Sequence, residues 1–336
     1  MKGTSVTTER RSHRRAMRLA AATVATAAGL ALLAACGGSS DDSSSATSTG
    51  AGAKPAAGTS GSTAIPTQDV VSSIAADPKL KAELPAKIRS SGTLTLGTTQ
   101  QPGVQGLPHA GQQDGKDVGL DVDLRNAVAK VLGVTWDVQN GTFPTIIPGV
   151  QNGRYDVGQD NFGVTKEREK VVDFATYLDD GQAFLGSRNV SLTSVKKLTD
   201  LCGLTIATSP GSTFQQILTD GAGDCAKIGK KPYKVQYFAD SAPIFLGLAN
   251  GKVDVMFGPT LGLKYDATRI PGTRFLGEIS TTVVGFVTAR NSPLAPVLRD
   301  AVNKLIADGD YARIFAKWGV PGTGISTSQL NPAATF

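Results

Sequence analysis

The chain has 336 residues, of which 40% are hydrophobic and 18% charged, with a formal net charge of +6. That length and apolar content bury a large core, which excludes a disordered or fibrous chain. Nearly all the excess positive charge sits in the first 35 residues, where Lys2, Arg10, Arg11, Arg14, Arg15 and Arg18 face only Glu9, so the remainder is close to neutral and a phosphate-binding surface for nucleic acid is excluded.

Behind the basic start, Leu19 to Ala35 is apolar, small-residued and uncharged, which predicts a secretory signal over 1–35. Leu33-Ala34-Ala35-Cys36 resembles the lipobox of bacterial lipoproteins, so Cys36 is the expected lipidation site and the chain is expected on the outer face of the cell membrane. Arg14-Arg15 fits a twin-arginine signal poorly, and the export route stays open. From Gly37 to about Thr67 the sequence is dominated by Gly, Ser, Ala and Thr, too poor in bulky apolar groups to offset chain entropy; a flexible tether is expected over 36–79. Besides Cys36 the chain has only Cys202 and Cys225. In an exported protein these are expected to pair, and their spacing, with no histidine near, matches no zinc pattern.

From about Leu80, short β-rich runs alternate with amphipathic helical runs, the pattern of an α/β fold. Thr93 to Leu96 reads as the first strand. Asp121 to Leu132 places Leu124, Ala127, Val128, Val131 and Leu132 on one helical stripe, with acids at its start and Gly133 as its stop. Phe143 to Val150 is a second helix. Val150-Gln151-Asn152-Gly153-Arg154-Tyr155-Asp156-Val157 is then echoed by Leu248-Ala249-Asn250-Gly251-Lys252-Val253-Asp254-Val255. Leu94-Thr95-Leu96 is likewise echoed by Leu204-Thr205-Ile206. Two similarly built α/β lobes with a ligand cleft between them are expected. Pro296 to Trp318 reads as a pair of docking helices.

Gly92-Thr93-Leu94-Thr95-Leu96-Gly97-Thr98, Gly119-Leu120-Asp121-Val122-Asp123-Leu124, Thr165-Lys166-Glu167-Arg168, Val172-Asp173-Phe174-Ala175, Gly211-Ser212-Thr213 and Gly309-Asp310-Tyr311 carry a resemblance to the bacterial family 3 solute-binding proteins of polar amino-acid importers. It covers about Ser91 to Gly319. Asp200-Leu201-Cys202-Gly203, with a cysteine some twenty residues on, also resembles actinobacterial members in which the two are bonded. The resemblance implies a type II periplasmic-binding-protein fold: lobe one from 80–182 and 281–336, lobe two from 183–280, joined by a two-stranded hinge. It further implies partners: an ABC permease with its ATPase, served by a monomer.

The same resemblance makes Arg168 the clamp for a ligand carboxylate, as the fork of a guanidinium allows. Ser212 and Thr213 open a helix, where backbone amides seat an anion. Phe143 stands where the family places an apolar wall. Two departures matter. Pro259 stands where an ammonium-binding aspartate is usual, and Thr99 where another acid is common. Asp160, followed by Asn161 and Gly163, is the nearest substitute, and these three with Thr99 are also expected in the ligand site. If it faces the cleft, the ligand is an amino acid; if not, a carboxylate without an α-amine. No cofactor or metal site and no catalytic residue is expected. An enzyme such as a dehydratase on this scaffold has little support, since His109 is the one histidine beyond the signal and has no nucleophile beside it. A sensor-type binding module remains the other alternative.

Overall fold

A computed structural model of the chain describes residues 64–335; the signal, Cys36 and the first part of the tether lie outside the described residues. Two short helices, α1 (Pro78–Glu83) and α2 (Ala86–Ser91), lead into β1 (Thr93–Thr99). A hairpin of β2 (Gly111–Gln113) and β3 (Lys116–Val118) precedes α3 (Leu120–Leu132), β4 (Thr135–Gly141), α4 (Phe143–Gln151) and β5 (Val157–Gly163). After the single turn of α5 (Lys166–Glu169) comes the long β6 (Val172–Ser187). Then follow β7 (Thr205–Thr208), α6 (Thr213–Asp220), α7 (Asp224–Lys227), β8 (Lys234–Tyr237), α8 (Ser241–Asn250), β9 (Val255–Pro259) and α9 (Thr260–Arg269). The second long strand, β10 (Thr273–Ala289), leads to α10 (Leu294–Ala307) and α11 (Asp310–Lys317).

Eight strands run in the order β4-β1-β5-β10-β6-β9-β7-β8. The order is two like halves back to back. In the larger half β4, β1 and β5 are parallel and β10 lies antiparallel beside β5. In the smaller half β8, β7 and β9 are parallel and β6 lies antiparallel beside β9. The long strands β6 and β10 pair with each other throughout and pass from one half to the other, with Asp180 opposite Thr282 and Gly181 opposite Thr281 midway. The carboxyl ends of the parallel strands in both halves meet at one cleft, where open α/β sheets bind ligands.

The sequence echo is an echo in space. Gly153 and Gly251 both take the left-handed conformation, φ 76° in each, that ends a helix without a Cβ penalty. Three residues on, Asp156 accepts the Thr95 amide at 2.8 Å and Asp254 accepts the Thr205 amide at 2.7 Å. Each carboxylate thereby ties a first strand to its parallel neighbour. The larger half has its own wedge: the Tyr155 ring fills the space a Cβ would need at Gly97 in β1 and at Gly149 in α4, coming within 2.4 Å of both positions.

Packing follows the apolar stripes. Leu124, Val128 and Leu132 of α3 and Val297, Leu298, Ala301 and Leu305 of α10 are buried in the larger core. Ile206, Leu218, Val255 and Phe257 fill the smaller one, which the Cys202–Cys225 disulfide also stitches across 23 residues. Both tryptophans belong to the larger half: Trp136 donates to the Arg125 carbonyl and Trp318 to the Asp123 carboxylate. The tail after α11 folds back, with Ser328 donating to the Thr176 carbonyl and Asn331 bonding Phe174 and Asp173. The tether expected to reach residue 79 ends sooner than its polar composition implied. Val70 and Ile74 are buried in the larger core, and Asp77 donates its amide to Val131 and caps α1. No described helix is long and apolar enough to cross a membrane.

Candidate functional site

A cavity of about 860 Å³ lies between the two halves. Its floor in the larger half is built by strands and helix starts. The end of β1 supplies Thr99, the middle of β5 supplies Asp160 and Asn161, and α4 and α5 supply Phe143 and Arg168. The opposite wall comes from the smaller half: Ser212 and Thr213 at the start of α6, Phe245 of α8, and Leu263 and Asp266 of α9.

Arg168 is buried, yet among the described residues no carboxylate comes within ion-pair distance of it. Nη1 donates to the Gly163 carbonyl at 2.9 Å and Nη2 to the Gly211 carbonyl at 3.0 Å. These bonds use two of the five donors and leave the rest of the fork for a ligand. The guanidinium lies over the rings of Phe143 and Phe162, 5.8 and 5.5 Å from their centroids. Burial draws its pKa down to about 10 despite the pull of Asp160. Ser212 caps α6 by accepting the Gln215 amide at 3.1 Å and donates to the Ser209 carbonyl, so its hydroxyl is committed to the helix start.

Asp160 faces the cavity. Oδ1 accepts the Thr99 hydroxyl at 2.9 Å, whereas Oδ2 is buried with no hydrogen-bond partner. Burial pushes the carboxyl up to about 7; the Thr99 bond and the charges of His109 and Arg168 oppose the rise, and Asp121 adds to it. A buried carboxylate oxygen without a donor is costly unless something supplies one. Thr99 in turn accepts from Gln101, whose side-chain oxygen accepts the Ser241 hydroxyl at 2.9 Å. A chain of hydrogen bonds therefore runs from Asp160 across the cleft.

Asn161 lines the cavity, but its amide is committed to a protein partner. It occupies the left-handed region at φ 52°, which asparagine tolerates, and donates to Asp180 at 2.9 Å. Asp180 sits midway along β6 and collects donors from both halves: the Leu261 amide of α9, the His109 Nε2 and Asn161. His109 is no isolated loop residue. Its Nε2 is 2.9 Å from Asp180, and its Nδ1 faces Asp121 at 3.4 Å, too poorly aligned for a hydrogen bond. Burial opposes the imidazolium, but the Asp121 charge and the Asp180 bond outweigh it and push the pKa up to about 10.

Seven of the eight expected ligand residues thus line one cavity: Thr99, Phe143, Asp160, Asn161, Arg168, Ser212 and Thr213. Gly163 does not. A Cβ there would meet Thr282 at 2.8 Å, and its contribution is the carbonyl that anchors Arg168. Sequence reasoning did not single out Gln101, Asp180 or Asp266. Each owes its place to a contact across the cleft, which no local pattern encodes.

The comparisons with known proteins agree with this geometry. Residues 105–321 match the family described as bacterial extracellular solute-binding proteins, family 3. An arginine-binding protein of Corynebacterium glutamicum is 27% identical over 260 residues, covering 76% of this chain and 83% of its own. A glutamine-binding protein of an ABC transporter of Bacillus subtilis is 26% identical over 249 residues, covering 72% of this chain and 87% of its own. Among solved structures, an ancestral arginine-binding protein bound to arginine superposes with a TM-score of 0.60 at 32% identity, over 68% of this chain and 98% of that one.

Proposed function

The chain belongs to the bacterial extracellular solute-binding proteins, family 3, and from that membership we propose that it captures a free α-amino acid in the cavity and delivers it to an ABC permease. The observation that carries the reading is the pairing of two unmet needs in one buried space. Arg168 has guanidinium donors without a carboxylate, and Asp160 has a carboxylate oxygen without a donor. An α-amino acid supplies both complements from a single carbon: its carboxylate takes the fork of Arg168 and the start of α6, and its ammonium takes Asp160. Asp160 then does the work of the aspartate that Pro259 displaces. A carboxylate lacking the amine leaves Asp160 without its partner. The names of the relatives, which bind arginine and glutamine, favour the same ligand class.

Two lobes, 80–182 with 281–336 and 183–280, close by hinge motion where β6 and β10 cross, and the closed form is what the permease reads. Arg168 to Gly211 and Gln101 to Ser241 are the closing contacts. Cys36 is lipidated and tethers a monomer to the outer face of the membrane. The enzyme alternative loses support at His109, since an imidazolium held by two carboxylates is a poor proton carrier near neutral pH.

A thermal-shift screen of the purified protein against α-amino acids and their amine-free carboxylate analogues tests the reading. Binding to the folded state alone adds about 2.7 kcal/mol of stability at a hundredfold excess over Kd. A shift with amino acids and none with the analogues is expected. A shift confined to the analogues refutes the reading.

A further inference from the structure

The charges around the cavity pair off, with one remainder. Arg125 is bound to Asp117 at 3.2 Å, and His109 is held between Asp121 and Asp180. Asp240 is exposed at the rim. If Arg168 and Asp160 take the carboxylate and ammonium of a bound zwitterion, Asp266 is left. Its residue is 2% exposed, and it lines the cavity from the face of α9 that also presents Gly262 and Leu263, at the spacings of three and four that share a helix face. The Gly106 backbone of the facing loop opposes the rise in its pKa, and no Lys, Arg or His among the described residues comes within ion-pair distance. Arg269, one turn on, lies 3.7 Å over the Tyr265 ring and acts on Asp266 only at longer range. Burial accordingly pushes the carboxyl up to about 7, the mark of an acid without a countercharge.

The space around it completes the description. The cavity is far larger than the α-carbon substituents need, and much of its remaining wall in the smaller half is apolar, with Phe245, Met256 and Leu263. A ligand that fills it has an apolar stem, and the uncompensated charge calls for a cation at the end of that stem.

We propose that Asp266 is a specificity-determining residue: its carboxylate receives a positive group at the distal end of the ligand side chain, so the preferred ligands are dibasic amino acids. This rests on the reading of the site as an amino-acid site. It assigns the α-groups to the larger half and the side-chain charge to the smaller half.

The test is calorimetric titration of the purified protein with L-arginine and L-lysine beside their neutral counterparts, L-citrulline and L-norleucine, repeated with Asp266→Asn. We expect each cationic ligand to bind at least about tenfold more tightly than its neutral counterpart, a difference of about 1.4 kcal/mol. Asp266→Asn should abolish that preference while changing L-citrulline affinity by less than about threefold. Equal or tighter binding of the neutral ligands by the unaltered protein overturns the proposal without any need for the variant. An equal loss for both classes in Asp266→Asn also overturns it, since that is what a purely structural role would give. Neutral amino acids binding without preference leaves the amino-acid site standing and removes the role of Asp266. No amino acid binding at all removes both.

Discussion

In the larger half, β5 carries Asp160 at its middle and is followed by α5 with Arg168; in the smaller half, β9 carries Gly258 one residue before its end and is followed by α9 with Asp266. The echo from Asp156 to Asp254 spans 98 positions, and the same step carries Asp160 to Gly258 and Arg168 to Asp266. The framework is repeated and the chemistry is not. Where one half holds a carboxylate in its strand the other has a bare glycine beside Pro259, and where one holds a cation the other holds an acid. Two copies of one scaffold need the same tying aspartates to keep their strands in register, whereas a ligand with distinct ends needs different groups from each side.

Changes to the charged half should be the most damaging. Arg168→Ala removes the only cavity cation among the described residues without a protein counterion and should weaken amino-acid binding by about 3 kcal/mol or more, over a hundredfold in Kd, as read by titration. The fold should survive it. The smaller half is sensitive elsewhere: replacing Cys202 and Cys225 by serine should lower stability by about 3 kcal/mol in denaturant unfolding, the scale for a loop of this size. Asp160→Asn should cost binding about 2 kcal/mol, because the amide still accepts a hydrogen bond but no longer answers the ammonium charge.

The same variant sets the pH dependence. An ammonium beside Asp160 lowers the carboxyl pKa from about 7, so binding releases a proton and affinity rises with pH, by up to about tenfold per unit between pH 5 and 7. Arg168 and His109, each near 10, keep their charges across that window. Titrations in buffers of different ionisation enthalpy should show the proton leaving in the unaltered protein, and Asp160→Asn should remove the part of the slope that Asp160 supplies. The smallest effect belongs to Ser212→Ala, which uncaps α6 and should cost about 1 kcal/mol of stability. Equal losses of binding from Arg168→Ala and Ser212→Ala would erase the contrast between the halves.

Much of the framework was legible in the sequence because it rests on short-range rules. The stripe of α3, the glycine after each helix and the repeated aspartate are all local patterns. Seven of the eight residues expected at the site do meet in the cavity for a related reason: they lie along strands and at helix starts, which an α/β fold gathers on one side. What stayed hidden depends on the approach of the halves. Asp180 gathers donors from loops far apart in the chain, and Asp266 is buried beside the loop at Gly106, which lies about 160 positions earlier in the chain. The burial of Val70 and Ile74 was hidden for the opposite reason, since a handful of apolar residues in a short stretch beside a polar tether is too few to establish a period.

The placement of Trp136 and Trp318, both in the larger half, gives the molecule a one-sided optical label. Intrinsic indole emission reports on the half that holds Arg168 and Asp160, whereas the smaller half contributes tyrosines such as Tyr233 and Tyr237. A melt followed at indole wavelengths and again by far-ultraviolet circular dichroism therefore samples one half and then both. Coincident curves would mean that the two long strands make the molecule a single cooperative unit. Separated curves would time the unfolding of each half without a dye or a new mutation.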